Sequence, residues 1–177
     1  MHPLEQLLNA PGADILDAIM MGFRAQADVK GKLAELYCNK ILLTLKNDKI
    51  IEALDWHDKD GVPDFEIVVR GRKRIIECKN VRSGKTMGGA DYAKVELQKT
   101  RSGSDRSGKK TRGYATDHFD ILSACLFNQT GQWDFRFILA TKLLPRPANP
   151  LLLTVMQTVW FEEGKGGWTS DIRKILI

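Results

Sequence analysis

Residues 62–79, VPDFEIVVRGRKRIIECK, constrain the fold of this chain more than any other stretch. Phe65, Ile67 and Val69 recur every second residue, and so do Ile76 and Cys78, which is the side-chain period of a strand. Gly71-Arg72 lies between the two runs, and a two-residue Gly-X loop is the signal of a type II′ hairpin. The expected ladder pairs Arg70 with Lys73, Val68 with Ile75, Glu66 with Glu77, and Asp64 with Lys79. Phe65, Ile67, Val69, Ile76 and Cys78 then form a core face, interrupted only by Arg74 near the hairpin tip. The opposite face gathers Asp64, Glu66, Glu77 and Lys79 at one end of the hairpin. A solvated, salt-bridged sheet face is the plain alternative, since such cross-strand pairs contribute only ~0.2–1 kcal/mol each. Against it, clustered carboxylates repel unless a cation or a nearby ammonium offsets them. Oxygen-rich sites of a few carboxylates suit Mg²⁺, and a lysine beside the metal can hold, orient or help deprotonate a water.

The remaining elements place this hairpin in an α/β domain. Ile15, Leu16, Ile19, Met20 and Phe23 have helical spacing, so a helix is expected over 13–29, and strong helix formers predict a second over 30–46. Strands are expected over 50–56, 63–70 and 73–80. A helix over roughly 90–101 and a Ser/Gly/Lys/Arg loop to Arg112 should follow. The nearly continuous apolar run 119–127 predicts a buried central strand, and 133–140 another. Residues 151–162 read equally as helix or strand. The order of elements suggests a central mixed β-sheet flanked by α-helices. At 177 residues the chain is the size of one domain.

Charge adds a partner class. Residues 70–112 hold 14 basic residues against 4 acidic ones, while the rest of the chain holds 13 against 18. One cationic stretch on a mildly acidic body suits a polyanion, above all nucleic acid; a solvated Lys-rich loop is the alternative. Cys38, Cys78 and Cys125 are odd in number and lack CxxC spacing, and His2, His57 and His118 are scattered, so disulfide frameworks and zinc sites are not expected. No secretory leader opens the chain and no apolar run reaches the ~20 residues needed to span a bilayer, so a reducing cytoplasm without membrane association is expected.

Pro63-Asp64 followed by Glu77-Cys78-Lys79 resembles the PD-(D/E)xK nuclease motif. VELQKTRSGSD at 95–105 and FDILSACLFNQTGQWDFRFI at 119–138 are similar to segments of type II restriction endonucleases in that superfamily. The resemblance is strongest over 30–140 and implies a restriction-endonuclease-like core within a single nuclease domain, 1–177. It implies that Asp64 and Glu77 ligate Mg²⁺ (or Mn²⁺ in its stead), with the Cys78 carbonyl as a further ligand and Lys79 activating or positioning the water. Glu35 corresponds to an acidic residue that supports the metal in some members; an ordinary solvent-facing Glu is the alternative. Gln98 stands where related nucleases carry a site-supporting Gln. Glu66 is no family position and reads as an accessory charge.

The implied activity is Mg²⁺-dependent hydrolysis of double-stranded DNA by a restriction enzyme or its catalytic domain. A repair or junction-resolving nuclease, and a non-catalytic DNA-binding module on the same fold, are the rival readings. Lys99, Arg101, Arg106, Lys109, Lys110 and Arg112 are expected to contact phosphates, some of them reading bases. Cutting both strands suggests a homodimer. No DNA-specificity module is recognisable at the ends of the chain, so a separate specificity domain or subunit fits as a partner. GSDRSGK at 103–109 starts like a P-loop, but Lys110 stands where Ser or Thr is required. His118 at a strand entrance reads as structural. Trp56, Trp133, Trp160 and Trp168 read as core or interface, and Cys78 alternates onto the apolar face.

Overall fold

The structure is a computed structural model that describes residues 1–59, 62–84, 91–104 and 110–176, with 99–104 and 110–112 as backbone only. The chain divides into two compact units, Met1–Leu33 and Ala34–Ile177.

In the first unit, helix α1 (Pro3–Leu8) starts on a capping box. His2 Nδ1 accepts the Leu4 N–H at 3.1 Å, and the Glu5 carboxylate accepts the His2 N–H at 2.6 Å. Glu5 also takes the Gly12 N–H at 2.7 Å, at the start of helix α2 (Gly12–Met21). The single helix expected over 13–29 is interrupted at Gly22, which turns to an extended conformation (φ −104°, ψ 105°). Glycine has the backbone freedom for that turn and little preference for staying helical. Helix α3 (Phe23–Asn47) therefore starts seven residues earlier than the helix expected from 30.

The second unit is mixed α/β. Its strands are β1 (Ala53–Trp56), β2 (Phe65–Val69), β3 (Arg72–Asn80), β4 (Tyr92–Glu96), β5 (Gln98–Ser104), β6 (Lys110–Gly113) and β7 (Ile121–Cys125). After the short helix α4 (Phe127–Thr130) come β8 (Phe135–Leu139), β9 (Pro145–Arg146), β10 (Asn149–Leu153) and β11 (Met156–Trp160). A central five-stranded sheet has the order β1-β2-β3-β7-β8; β3 and β7 run parallel and the other neighbours antiparallel. No helix among the described residues is long and apolar enough to cross a membrane.

The hairpin forms at the expected place with a different turn. Arg70 (φ 51°) and Gly71 (φ 69°) both occupy the left-handed region, and Val69 pairs with Arg72. Two positive-φ residues make a type I′ loop, whose twist matches that of the flanking strands. Glu52 Oε1 accepts the Gly71 N–H at 3.0 Å and pins this turn. The ladder consequently slips by two residues along β3 from the expected one: Val68 faces Lys73, Glu66 faces Ile75, and Phe65 faces Ile76. A slip of two preserves the faces.

Each face of the sheet has its own core. Phe65, Ile67, Val69, Ile76, Cys78, Ile121, Cys125, Phe135 and Phe137 pack with Ala34, Cys38, Leu42 and Leu45 of α3. Leu42 is fully buried, so trimming it to alanine should cost about 2–5 kcal/mol. Leu122, Ala124 and Ile138 on the other face pack with Val81, Ala93, Val95, Leu97, Tyr114, Phe119, Leu153, Val159 and Trp168.

A helix over 90–101 is not what forms. Ala93, Val95 and Leu97 are completely buried, alternating with more exposed neighbours, and β4 pairs antiparallel with β11. The helix formers Glu96, Gln98 and Lys99 suggested one period; pairing with a distant strand imposed the other. Likewise the expected basic loop is a ribbon, with Gln98 opposite Gly113, Gly103 opposite Thr111 and Ser104 opposite Lys110. Residues 151–162, open between helix and strand, resolve as β10 and β11.

Candidate active site

Three of the four charges expected on the polar face meet at one end of the hairpin. Glu77 and Lys79 project from β3 on the face that carries Leu122 and Ala124, their neighbours in register on β7. Asp64 follows Pro63 just ahead of β2, and its Oδ2 accepts the Cys78 N–H at 2.7 Å. Continued one step, the observed register sets Asp64 opposite Glu77, where the expected ladder had Lys79. Glu66 instead lies opposite Ile75 and ion-pairs with Lys73, away from this group.

Glu77 is only 4% exposed. Its Oε1 is ion-paired with Lys79 Nζ and accepts the Tyr114 hydroxyl at 2.5 Å. Tyr114 follows directly on β6. Its backbone oxygen takes the Leu153 N–H at 2.8 Å, and its ring stands edge-on to Phe119 and His118. No linear spacing ties Tyr114 to the carboxylates, so the sequence reading missed it. The available signal is general: a tyrosine among core residues needs a partner for its hydroxyl.

The electrostatics follow from burial and like charge. Burial, then the neighbouring Glu77, push the Asp64 carboxyl up to about 7; Lys79 and the Cys78 N–H oppose this, and Glu35 adds to it. Burial works against the Lys79 ammonium, but Glu77 and then Asp64 outweigh it and hold Lys79 well above its ordinary range. Tyr114 is held protonated by burial and by Glu77. A half-buried carboxyl kept neutral-leaning beside a second carboxylate marks a point where a cation is electrostatically wanted. Asp64, Glu77 and the Cys78 carbonyl are hard oxygen donors, a set that fits Mg²⁺. The Cys78 carbonyl leaves β3 on the same edge as the N–H that meets Asp64.

Other expected residues are placed as follows. Glu35, on α3, accepts the Trp56 indole N–H at 3.2 Å. Its charge reaches Asp64, but among the described residues no three His, Cys, Asp or Glu side chains stand close enough together to hold a metal. Gln98 starts strand β5, not a helix, opposite Gly113 and one residue from Tyr114 in register. Lys99 and Arg101 lie on β5, and Lys110 and Arg112 on β6. Arg106 and Lys109 lie outside the described residues. The Cys78 thiol is on the α3 side of the sheet, held well up by a hydrogen bond with Cys38 and by burial, and Cys125 is pushed up to about 11 by burial. Neither offers a thiolate nucleophile near neutral pH. Trp168 is core and Trp133 is stacked between Tyr37 and Phe127, as a structural reading of the tryptophans expects.

No protein-family model matches the chain, and no curated protein matches it. A solved structure with a similar arrangement is that of a bacterial homing endonuclease, I-Ssp6803I. It is 15% identical over 64% of this chain and 68% of that one, with a TM-score of 0.43.

Proposed function

We propose that this chain is a Mg²⁺-dependent endonuclease of the PD-(D/E)xK kind that hydrolyses phosphodiester bonds in double-stranded DNA, as a restriction enzyme does. The observation that carries this reading is the convergence of Asp64, Glu77 and Lys79, with Asp64 desolvated beside a second carboxylate. A structural salt bridge needs one carboxylate for one ammonium. The second, buried one is a burden on the fold unless the site has another cation to receive.

Asp64, Glu77 and the Cys78 carbonyl would hold the metal, which when bound supplies positive charge to the phosphate oxygens and lowers the pKa of a water. Lys79, kept as an ammonium by Glu77 and Asp64, is poorly suited to take a proton. Its role in this reading is to donate hydrogen bonds: it orients the attacking water and offsets charge building on the phosphate. Tyr114 holds the Glu77 carboxylate in place from its far side. The basic β5–β6 ribbon leads straight into Tyr114, so phosphates gripped along it would be continuous with the site.

Incubation of supercoiled plasmid and phage DNA with Mg²⁺ or with EDTA tests this directly. Metal-dependent cleavage is expected, lost in Asp64→Asn and in Glu77→Gln, with discrete fragments marking sequence specificity. Cleavage that survives both substitutions would refute the assignment.

A further inference from the structure

The first unit is built like half of an interface. Neither α1 nor α2 buries a single residue. Leu4, Leu7 and Leu8 recur at i, i+3, i+4 on α1, and Leu7 is 78% exposed. Leu16, Met20 and Phe23 recur at i, i+4, i+7, at 64%, 72% and 85% exposure. Helical periodicity therefore sorts the large apolar side chains into stripes, as it does for any amphipathic helix, but these stripes face outward. Together with Met21, they present on the order of 1,000 Å², more than the few hundred Å² a monomer leaves in one apolar patch and comparable with the ~800 Å² each partner contributes to a standard interface.

We propose that Met1–Leu33 is a self-association element and that a second copy of this chain covers these stripes about a two-fold axis. Charge favours that occupant. Asp17 and Arg24 are both exposed at opposite ends of the Leu16–Phe23 stripe. An antiparallel pairing of two copies brings each Asp17 toward the other copy's Arg24, and a two-fold interface uses every such contact twice. A lipid surface is a poor fit: an interfacial helix carries Lys and Arg along its polar face, and residues 3–21 contain neither, only Glu5, Asp14 and Asp17 as charges. The inference rests on exposed apolar area and stands apart from the nuclease reading, although two copies would also supply one site per strand of a duplex.

Sedimentation equilibrium of the full chain tests it. The wild type should show twice the mass of the chain. Leu16→Glu with Met20→Glu should weaken dimerisation about a hundredfold, the loss of two buried apolar anchors. Leu7→Glu with Leu8→Glu provides a second, independent disruption, and Leu151→Glu, exposed in the second unit, should leave the dimer intact. All of these positions are at the surface, so far-UV circular dichroism should be unchanged. A wild type that stays monomeric at every concentration, a dimer that survives both double substitutions, or a monomer that instead binds neutral or anionic vesicles overturns the proposal. Cleavage assays are read separately: a monomer that cuts DNA defeats this inference only, and an inactive dimer defeats only the nuclease reading.

Discussion

Asp64→Asn should stabilise the protein, and the pH at which it does so follows from the site. The carboxyl has an ordinary value of 3.8 and is held at about 7 in the fold, first by burial and then by Glu77. The folded state therefore binds a proton more tightly than the unfolded chain. The associated stability is fully present below 3.8, declines by about 1.4 kcal/mol per pH unit as pH rises, and is lost above about 7. Integrated, the decline is about 4 kcal/mol; some contact with water at the half-buried side chain brings a working range of ~2–4 kcal/mol. That is a large fraction of the 5–15 kcal/mol typical of a domain. Asparagine keeps an oxygen for the Cys78 N–H and cannot ionise, so it escapes the decline. Urea unfolding of wild type and variant, in EDTA across about pH 4 to 8, gives a difference curve in which all other titrating groups largely cancel. The variant should gain on the wild type through this window and level off above it. Mg²⁺ added near pH 8 should restore the wild type and leave the variant unmoved, because ligand binding to the native state alone is stabilising. A flat difference curve would refute the account of Asp64 as a desolvated carboxylate held in reserve for a cation.

Three further outcomes are expected. Lys79→Met leaves Glu77 buried beside Asp64 without its ammonium, so stability should fall by about 3 kcal/mol and cleavage by orders of magnitude, with Lys79→Arg failing to restore activity; normal cleavage by the Met variant would remove Lys79 from the site. Tyr114→Phe deletes a hydrogen bond to a buried charge, worth about 1.5–3 kcal/mol in unfolding experiments, and should lower kcat while leaving the Kd for DNA nearly unchanged. Changing Lys99, Arg101, Lys110 and Arg112 together to Gln should flatten the salt dependence of DNA binding by roughly 0.9 for each phosphate contact removed; an unchanged slope means the DNA path lies elsewhere.

The parts of the fold that were legible are those decided locally. Alternation along 65–69 and 72–80 announces a hairpin, and the buried run Ile121–Cys125 announces a central strand whichever strands flank it. The stretch between them is different. β4 owes its existence to β11, which follows some sixty residues later, and nothing near Tyr92 in the sequence records that partner. The tendency of Glu96, Gln98 and Lys99 toward helix is worth only tenths of a kcal/mol per residue, and burial of Ala93, Val95 and Leu97 overrides it. Tyr114 was hidden for the same reason: its contact with Glu77 spans 37 residues and depends on where β6 ends.

The candidate site shows how far a correct pattern can coexist with a wrong partner. Sliding one strand of the hairpin by two residues leaves every side chain on its original face, so Asp64, Glu77 and Lys79 share the polar face under either register. What the slip changes is who stands across from whom. Opposite Lys79, Asp64 would be half of an ordinary ion pair, with a carboxyl at or below its usual value. Opposite Glu77, with Lys79 already engaged by Glu77, it becomes the surplus carboxylate, and its raised value follows. The type I′ turn at Arg70-Gly71 is thus the structural origin of the charge imbalance more than ten ångströms away, because it alone sets the register along both strands. A substitution that forces the hairpin back into the other register should convert the site into a neutral salt bridge and abolish its demand for a cation while leaving the core face intact.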